Sequence, residues 1–230
     1  MEVEGHRSRI IERYEKSGID AFHDYEILEL FLTVIIPRKD VKPLAKELLL
    51  KYKTINAVFN APSRELEEID GLGKRSVLLI KFIKDMQGFC LKEEIVNKKS
   101  KIQSKNDIAQ YLSFNFGNLR EEYIILFLLD NQNAVISAEI AAKGIAANCP
   151  IKPQKLFDRA MQVKAAKIII AHNHPSNSPE FSTADWNLTQ KIAAVGETLE
   201  IPLIDHIIIS GNDVFSMREN QNTGTTKIWK

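Results

Sequence analysis

Apolar residues along the 230-residue chain follow two different periods, and the change falls near residue 100. From Asp24 to Leu32 (DYEILELFL), and again from Val41 to Tyr52, they recur at the three- and four-residue spacing of an amphipathic helix. Pro43 stands in the first turn of the second helix, where its missing N–H costs little. Ser63 is the expected N-cap of a further helix that buries Leu66 and Ile69. Beyond residue 104 the pattern alternates strand and helix. Tyr123–Leu129 is a continuous apolar run, as in a strand buried on both faces. Asp130–Asn133 is a turn and Ala134–Ile140 the returning strand. Pro153–Ala165 has helical spacing, Lys167–Ala171 is a short buried strand, and Thr183–Leu199 is a helix capped by Ser182. Leu203–Ser210 and Val214–Met217 are strands joined by a turn over 211–213.

These elements predict a helical domain over 1–91, a polar linker over 92–103, an α/β domain over 104–220 and a tail over 221–230, without an apolar face before Ile228-Trp229. Hydrophobic residues at 44% and charged residues at 27% place the chain among globular proteins. The net charge of +1 excludes a globally basic nucleic-acid coat, though it averages +2 over residues 1–103 and −1 over 104–230. Cys90 and Cys149 form no C-x-x-C pair and no disulfide framework. The N-terminus has no apolar signal segment, and the longest apolar runs fall far short of the roughly 18 residues of a membrane span. The expectation is a soluble, cytoplasmic protein with no membrane partner.

Two segments carry chemistry. In Ile69-Asp-Gly-Leu-Gly-Lys-Arg-Ser76, an apolar residue precedes Gly-x-Gly and a second helix. Gly71 and Gly73 would allow a tight turn and close approach to a phosphate. N–H groups at the helix start, with Lys74, Arg75, Lys81 and Lys84, would favour its charge. Such DNA contact would be sequence-independent. A plain turn between packed helices fits the same residues.

The second segment runs from Ala171-His172-Asn173-His174-Pro175 to Ser182-Thr-Ala-Asp185. Histidines two apart at a strand end share one face. Asp185, in the first turn of the next helix, can fold back beside them. Two imidazoles and a carboxylate suit zinc and leave a fourth position open, the pattern of a catalytic rather than a structural site. Zinc there would lower the pKa of its water to about 7. Two surface histidines would explain His-x-His by itself.

The full spacing is His-x-His, seven residues, Ser, two residues, Asp. It resembles the motif of JAMM (MPN-type) metalloproteases. Ile168–Ser176, Ser182–Asp185, Leu203–Ser210 and Phe215–Glu219 further resemble the bacterial RadC proteins, and the likeness covers most of residues 5–219. It implies a small all-α helix-hairpin-helix domain followed by an α/β JAMM/MPN-type (cytidine-deaminase-like) mixed sheet with flanking helices. One zinc ion per chain would be held by His172, His174 and Asp185. The general base would be a glutamate eight residues ahead of an aspartate. Glu122 stands eight before Asp130, with Glu121 the runner-up. Ser182 would donate to the developing oxyanion or serve simply as N-cap. Asp205-His206 would be supporting or structural. Asn177 replaces a usual glycine after His-Pro-Ser, Gly144-Ile145 a Gly-Thr pair and Pro153-Gln-Lys a Pro-Arg-Glu triplet, which bears on substrate contacts.

The implied activity is hydrolysis of a peptide or isopeptide bond in a protein substrate. A metal-dependent nuclease, or a DNA-associated metal-binding protein without turnover, stands as the alternative. An HNH nuclease is excluded because its residues are spread over a hairpin and a helix, and a zinc deaminase because P-C-x-x-C is absent.

Overall fold

The computed structural model describes residues 2–37, 39–97, 105–144, 151–221 and 228–229. Residues 98–103 of the expected linker, Ile145, Cys149 and residues 222–227 of the tail lie outside the described residues. The chain forms two compact units, residues 1–87 and 88–230. No helix among the described residues is long and apolar enough to cross a membrane.

The first unit holds α1 (Glu2–Ser17), α2 (Asp24–Ile35), α3 (Lys42–Tyr52), α4 (Ile55–Asn60), α5 (Ser63–Glu67) and the start of α6 (Lys74–Asn97). Leu28 and Leu32 of α2, Leu44 and Leu48 of α3, Leu66 of α5 and Val77 and Ile80 of α6 form its core. These are the positions at helical spacing in the sequence. The N-cap of α5 is Pro62, and Ser63 is its first helical residue rather than its cap. Gly71 sits at φ +90°, a conformation that L side chains rarely adopt. Gly73 has no such need, and a Cβ there would meet open space.

The basic cluster at 74–84 is smaller than its sequence suggests. Lys81 Nζ donates to the carbonyls of Phe59, at 2.8 Å, and Ala61, and Lys84 Nζ donates to Asn60 Oδ1. Both lysines are half-buried, and desolvation lowers their pKa values. They bond the end of α4 and leave Lys74 and Arg75 as the exposed cations at the start of α6.

The second unit is a five-stranded mixed sheet between two helical layers. The strands are β1 (Tyr123–Leu129), β2 (Val135–Lys143), β3 (Lys167–Asn173), β4 (Leu203–Ser210) and β5 (Asp213–Ser216), in the order β2-β1-β3-β4-β5. Among the described residues only β3 and β4 run parallel, joined through α9 (Thr183–Thr198). The continuous apolar runs follow from burial on both faces. Ile125, Phe127 and Leu129 enter a core with α7 (Lys105–Phe116) and the end of α6. Ile124, Leu126 and Leu128 enter the opposite core with α8 (Pro153–Gln162). Neighbours on a strand alternate faces, so both sets must be apolar.

Two expectations are corrected, and two features that the sequence pattern left unassigned are added. Residues 92–97 are helix rather than linker, because Leu91, Ile95 and Val96 pack on the core formed with α7. Lys105–Phe116, to which the periodicity assigned no element, is helical and buries Ile108, Tyr111, Leu112 and Phe116. β3 continues two residues past Ala171, because Ile124 on one side and Ile208 on the other extend its ladder through His172. The tail is tied down at its end: Trp229 Nε1 donates to the Leu203 carbonyl at 2.8 Å, and Gln221 Oε1 accepts from the Ile228 and Trp229 N–H groups.

Lys81 joins α6 to the end of α4 through a charged donor. Lys81→Ala should lower the unfolding free energy by about 2 kcal/mol in a denaturant titration. No change in midpoint would mean that water replaces the ammonium without loss.

Candidate metal centre

Strand parity decides which side chains meet. Ile168 and Ile170 face the α8 layer, so His172 faces it too. His174, two residues on, follows the same direction just past the strand end, with its N–H donated to the Ile209 carbonyl at 2.8 Å. Asp185 lies in the first turn of α9. Its backbone N–H donates to Ser182 Oγ at 3.1 Å, and its Oδ2 accepts from the Ser182 N–H and hydroxyl at 2.8 and 2.7 Å. This reciprocal cap holds one carboxylate oxygen and leaves Oδ1 toward His172. The loop between the histidines and α9 turns at Asn177, whose φ of +55° is one that asparagine tolerates.

His172 Nε2, His174 Nε2 and Asp185 Oδ1 converge. The two nitrogens are 2.9 Å apart, and His172 Nε2 is 3.1 Å from Asp185 Oδ1. Among the described residues, one ligand atom from each of the three residues lies within 4.8 Å of the others. Hydrogen bonding behind them sets the tautomers. The Asp185 carbonyl can only accept, so the Thr189 hydroxyl 2.6 Å away donates to it. Thr189 Oγ1 must then accept from His206 Nδ1–H, at 2.6 Å. His206 Nε2 is left to accept from His172 Nδ1–H, at 2.7 Å. His172 Nε2 therefore carries a bare lone pair. The same holds for His174, whose Nδ1–H donates to the Ser178 carbonyl at 2.8 Å. Two lone pairs and a carboxylate oxygen meet with no donor among them. Such a set suits a cation, and imidazole plus carboxylate is a donor set that fits zinc.

Titration follows the same geometry. The Asp185 carboxylate, chiefly, and more weakly the Glu122 charge raise the pKa of His174 above its ordinary 6.5, against the effect of burial. Burial would raise Asp185, but its contacts with the His172 and His174 rings and the hydrogen bond from the Ser182 hydroxyl hold it far below the carboxylate range. Burial keeps His206 well below the usual histidine value, as the neutral relay requires.

Residues 102–222 match the family described as RadC-like JAB domain. The chain belongs to that family. It is 40% identical over 222 residues to a UPF0758 protein of Fusobacterium nucleatum subsp. nucleatum, a match covering 94% of this chain and 96% of the relative. A UPF0758 protein of Ruegeria pomeroyi is 33% identical over 216 residues, with the same shares covered. The mixed sheet and the helical N-terminal region accord with the fold expected for a RadC-like chain.

The sequence brought together His172, His174, Asp185 and Ser182. The two acidic candidates separate: Glu121 pairs with Lys143 at 3.0 Å on the surface, whereas Glu122 acts electrostatically on His174. Gly71, Gly73, Lys74 and Arg75 lie in the first unit, apart from this cluster in the chain. Three supporting residues were not identified from sequence as parts of one network. Thr189 lies one helical turn after Asp185, a spacing that was a readable signal. His206 reaches the site only through the parallel pairing of β3 with β4. Asn173, the middle residue of His-Asn-His, accepts the Tyr123 N–H at 2.7 Å and donates to the Glu121 carbonyl at 3.0 Å. It thereby bonds the peptides on both sides of Glu122. Asp205 points elsewhere and ties β4 to β5 through the Ser216 hydroxyl at 2.6 Å.

Two outcomes follow for metal-free protein titrated with zinc. His172→Ala should abolish stoichiometric uptake, and Thr189→Val should weaken it by about 10–100-fold by breaking the relay. Zinc competes with the proton on His174, so affinity should fall on acidification, beginning above pH 6.5. Uptake indifferent to both substitutions would show that the ion binds elsewhere.

Proposed function

We propose that the chain is a zinc-dependent hydrolase of JAMM type that cleaves a peptide or isopeptide bond. The observation that carries this reading is the convergence of His172 Nε2, His174 Nε2 and Asp185 Oδ1 with no donor among them. Membership of the RadC-like JAB domain family supports a hydrolytic role for that metal. A bound zinc ion supplies Lewis acidity and lowers the pKa of water.

The protein's own groups do the rest. His172 and His174 offer lone pairs because carbonyl oxygens hold their other nitrogens as donors, directly for His174 and through His206 and Thr189 for His172. Asp185 adds a negative charge. Glu122 is assigned as general base: its carboxylate takes the proton of the attacking water and delivers it to the leaving amine nitrogen as the C–N bond breaks. Two features support this choice over Glu121. Glu122 is near enough to His174 to influence its protonation, and Asn173 holds its flanking peptides. Glu121 is engaged by Lys143. The Ser182 hydroxyl donates to Asp185, so we assign it first to orienting that ligand. Donation to an oxyanion would require that bond to open.

The test compares zinc-loaded native protein with Glu122→Gln on an internally quenched peptide library and on an isopeptide-linked lysine peptide. Native protein should cleave one class. The variant should keep its zinc and lose activity by about 100-fold or more. DNA cleavage lost with the same substitution, without peptide cleavage, would replace this reading with a nuclease. Zinc without either activity would leave a binding protein.

A further inference from the structure

The outer face of α6 carries apolar side chains that the fold does not use. Leu78 is 65% exposed, Phe82 56%, Met86 48% and Phe89 60%. At about 100° per residue, all four lie within about 40° of the direction of Phe82. Two exposed charges lie on the same stripe, Arg75 at one end and Glu93 at the other. Lys84, midway between them, is turned to the opposite side and bonded to Asn60.

From this pattern we infer that α6 pairs antiparallel with α6 of a second copy of the chain. A two-fold interface requires that residue i meet residue j while j meets i. The stripe meets that requirement. Arg75 and Glu93 each stand nine residues from Lys84, and Phe82 and Met86 each stand two. Leu78 and Phe89 stand six and five away. Arg75 and Glu93 also project at the same angle, about 20° to one side of Phe82, while Leu78 and Phe89 both project to the other. Antiparallel two-fold pairing places like angles together. Arg75 therefore faces the partner's Glu93, Phe82 the partner's Met86, and Leu78 the partner's Phe89. Parallel pairing would set Arg75 against Arg75 and Glu93 against Glu93.

Area sets the strength. Four side chains about half exposed offer roughly 400 Å² per copy, against the ~800 Å² per partner of a standard stable interface. The dimer is therefore weak and concentration-dependent. Its ion pairs would engage Arg75, the residue whose chain position also suggested phosphate contact. The association does not depend on the metal centre.

Sedimentation velocity of the full chain over a range of micromolar concentrations tests the pairing. The native chain should pass from monomer to dimer. Phe82→Asp should lose the dimer at every concentration while the circular dichroism spectrum stays native. Arg75→Glu and Glu93→Arg should each weaken dimerisation by about tenfold at low salt, and the two together should restore it. A native chain that is monomeric throughout overturns the inference. So does a dimer indifferent to Phe82→Asp, or a double exchange no better than the single ones.

Discussion

Two backbone carbonyls govern the chemistry of this protein. Those of Asp185 and Ser178 can only accept hydrogen bonds, and each ends a chain of donors that starts at a histidine. The chain from Ser178 has one step, and the chain from Asp185 runs through Thr189 and His206. Both leave an Nε2 lone pair facing the same point. The affinity of the three groups for a cation would thus be set in part by groups outside the cluster. Asp185 acts twice, its side chain as the negative charge of the cluster and its main chain as the acceptor that settles the tautomer of His172.

The fold makes that relay possible. β3 and β4 run parallel, and their register sets His206 on the same face as His172. The crossover between them is α9, which brings Ser182, Asp185 and Thr189 to the same strand ends. Close approach of α9 depends on Gly196, where a Cβ would stand 2.6 Å from the Ile201 carbonyl oxygen and 3.2 Å from Phe157. Asn173 uses the opposite face of β3 to bond the start of β1 around Glu122. One strand therefore carries the clustered histidines on one face and, on the other, the asparagine that fixes the backbone around Glu122.

How much of this was legible in the sequence depended on distance along the chain. His172, His174, Ser182 and Asp185 fall within fourteen residues, and their spacing reports a strand end followed by a helix start. Thr189 belongs to the same stretch and was legible in principle. His206 was read only as supporting or structural, because its place in the relay depends on a register set by β1, β3 and β4 together. Lys81 and Lys84 show the reverse. Their composition reads as a basic surface, whereas both ammonium groups are drawn into the end of α4, where unsatisfied acceptors outbid water. The polar run from Lys92 reads as linker because only Ile95, Val96 and Ile102 in it are apolar, yet the first two are enough to anchor the end of α6.

The sequence by itself determined the division into a helical and an α/β part, the strands buried on both faces and the identity of the side chains that converge. Each of these is encoded by local period or short spacing, which backbone geometry converts directly into a face. Tertiary structure alone decided which nitrogen of each histidine is bare, which of two adjacent glutamates is paired with Lys143, and which lysines remain on the surface. Those depend on acceptors supplied by residues distant in the chain, and on burial, which no local pattern records.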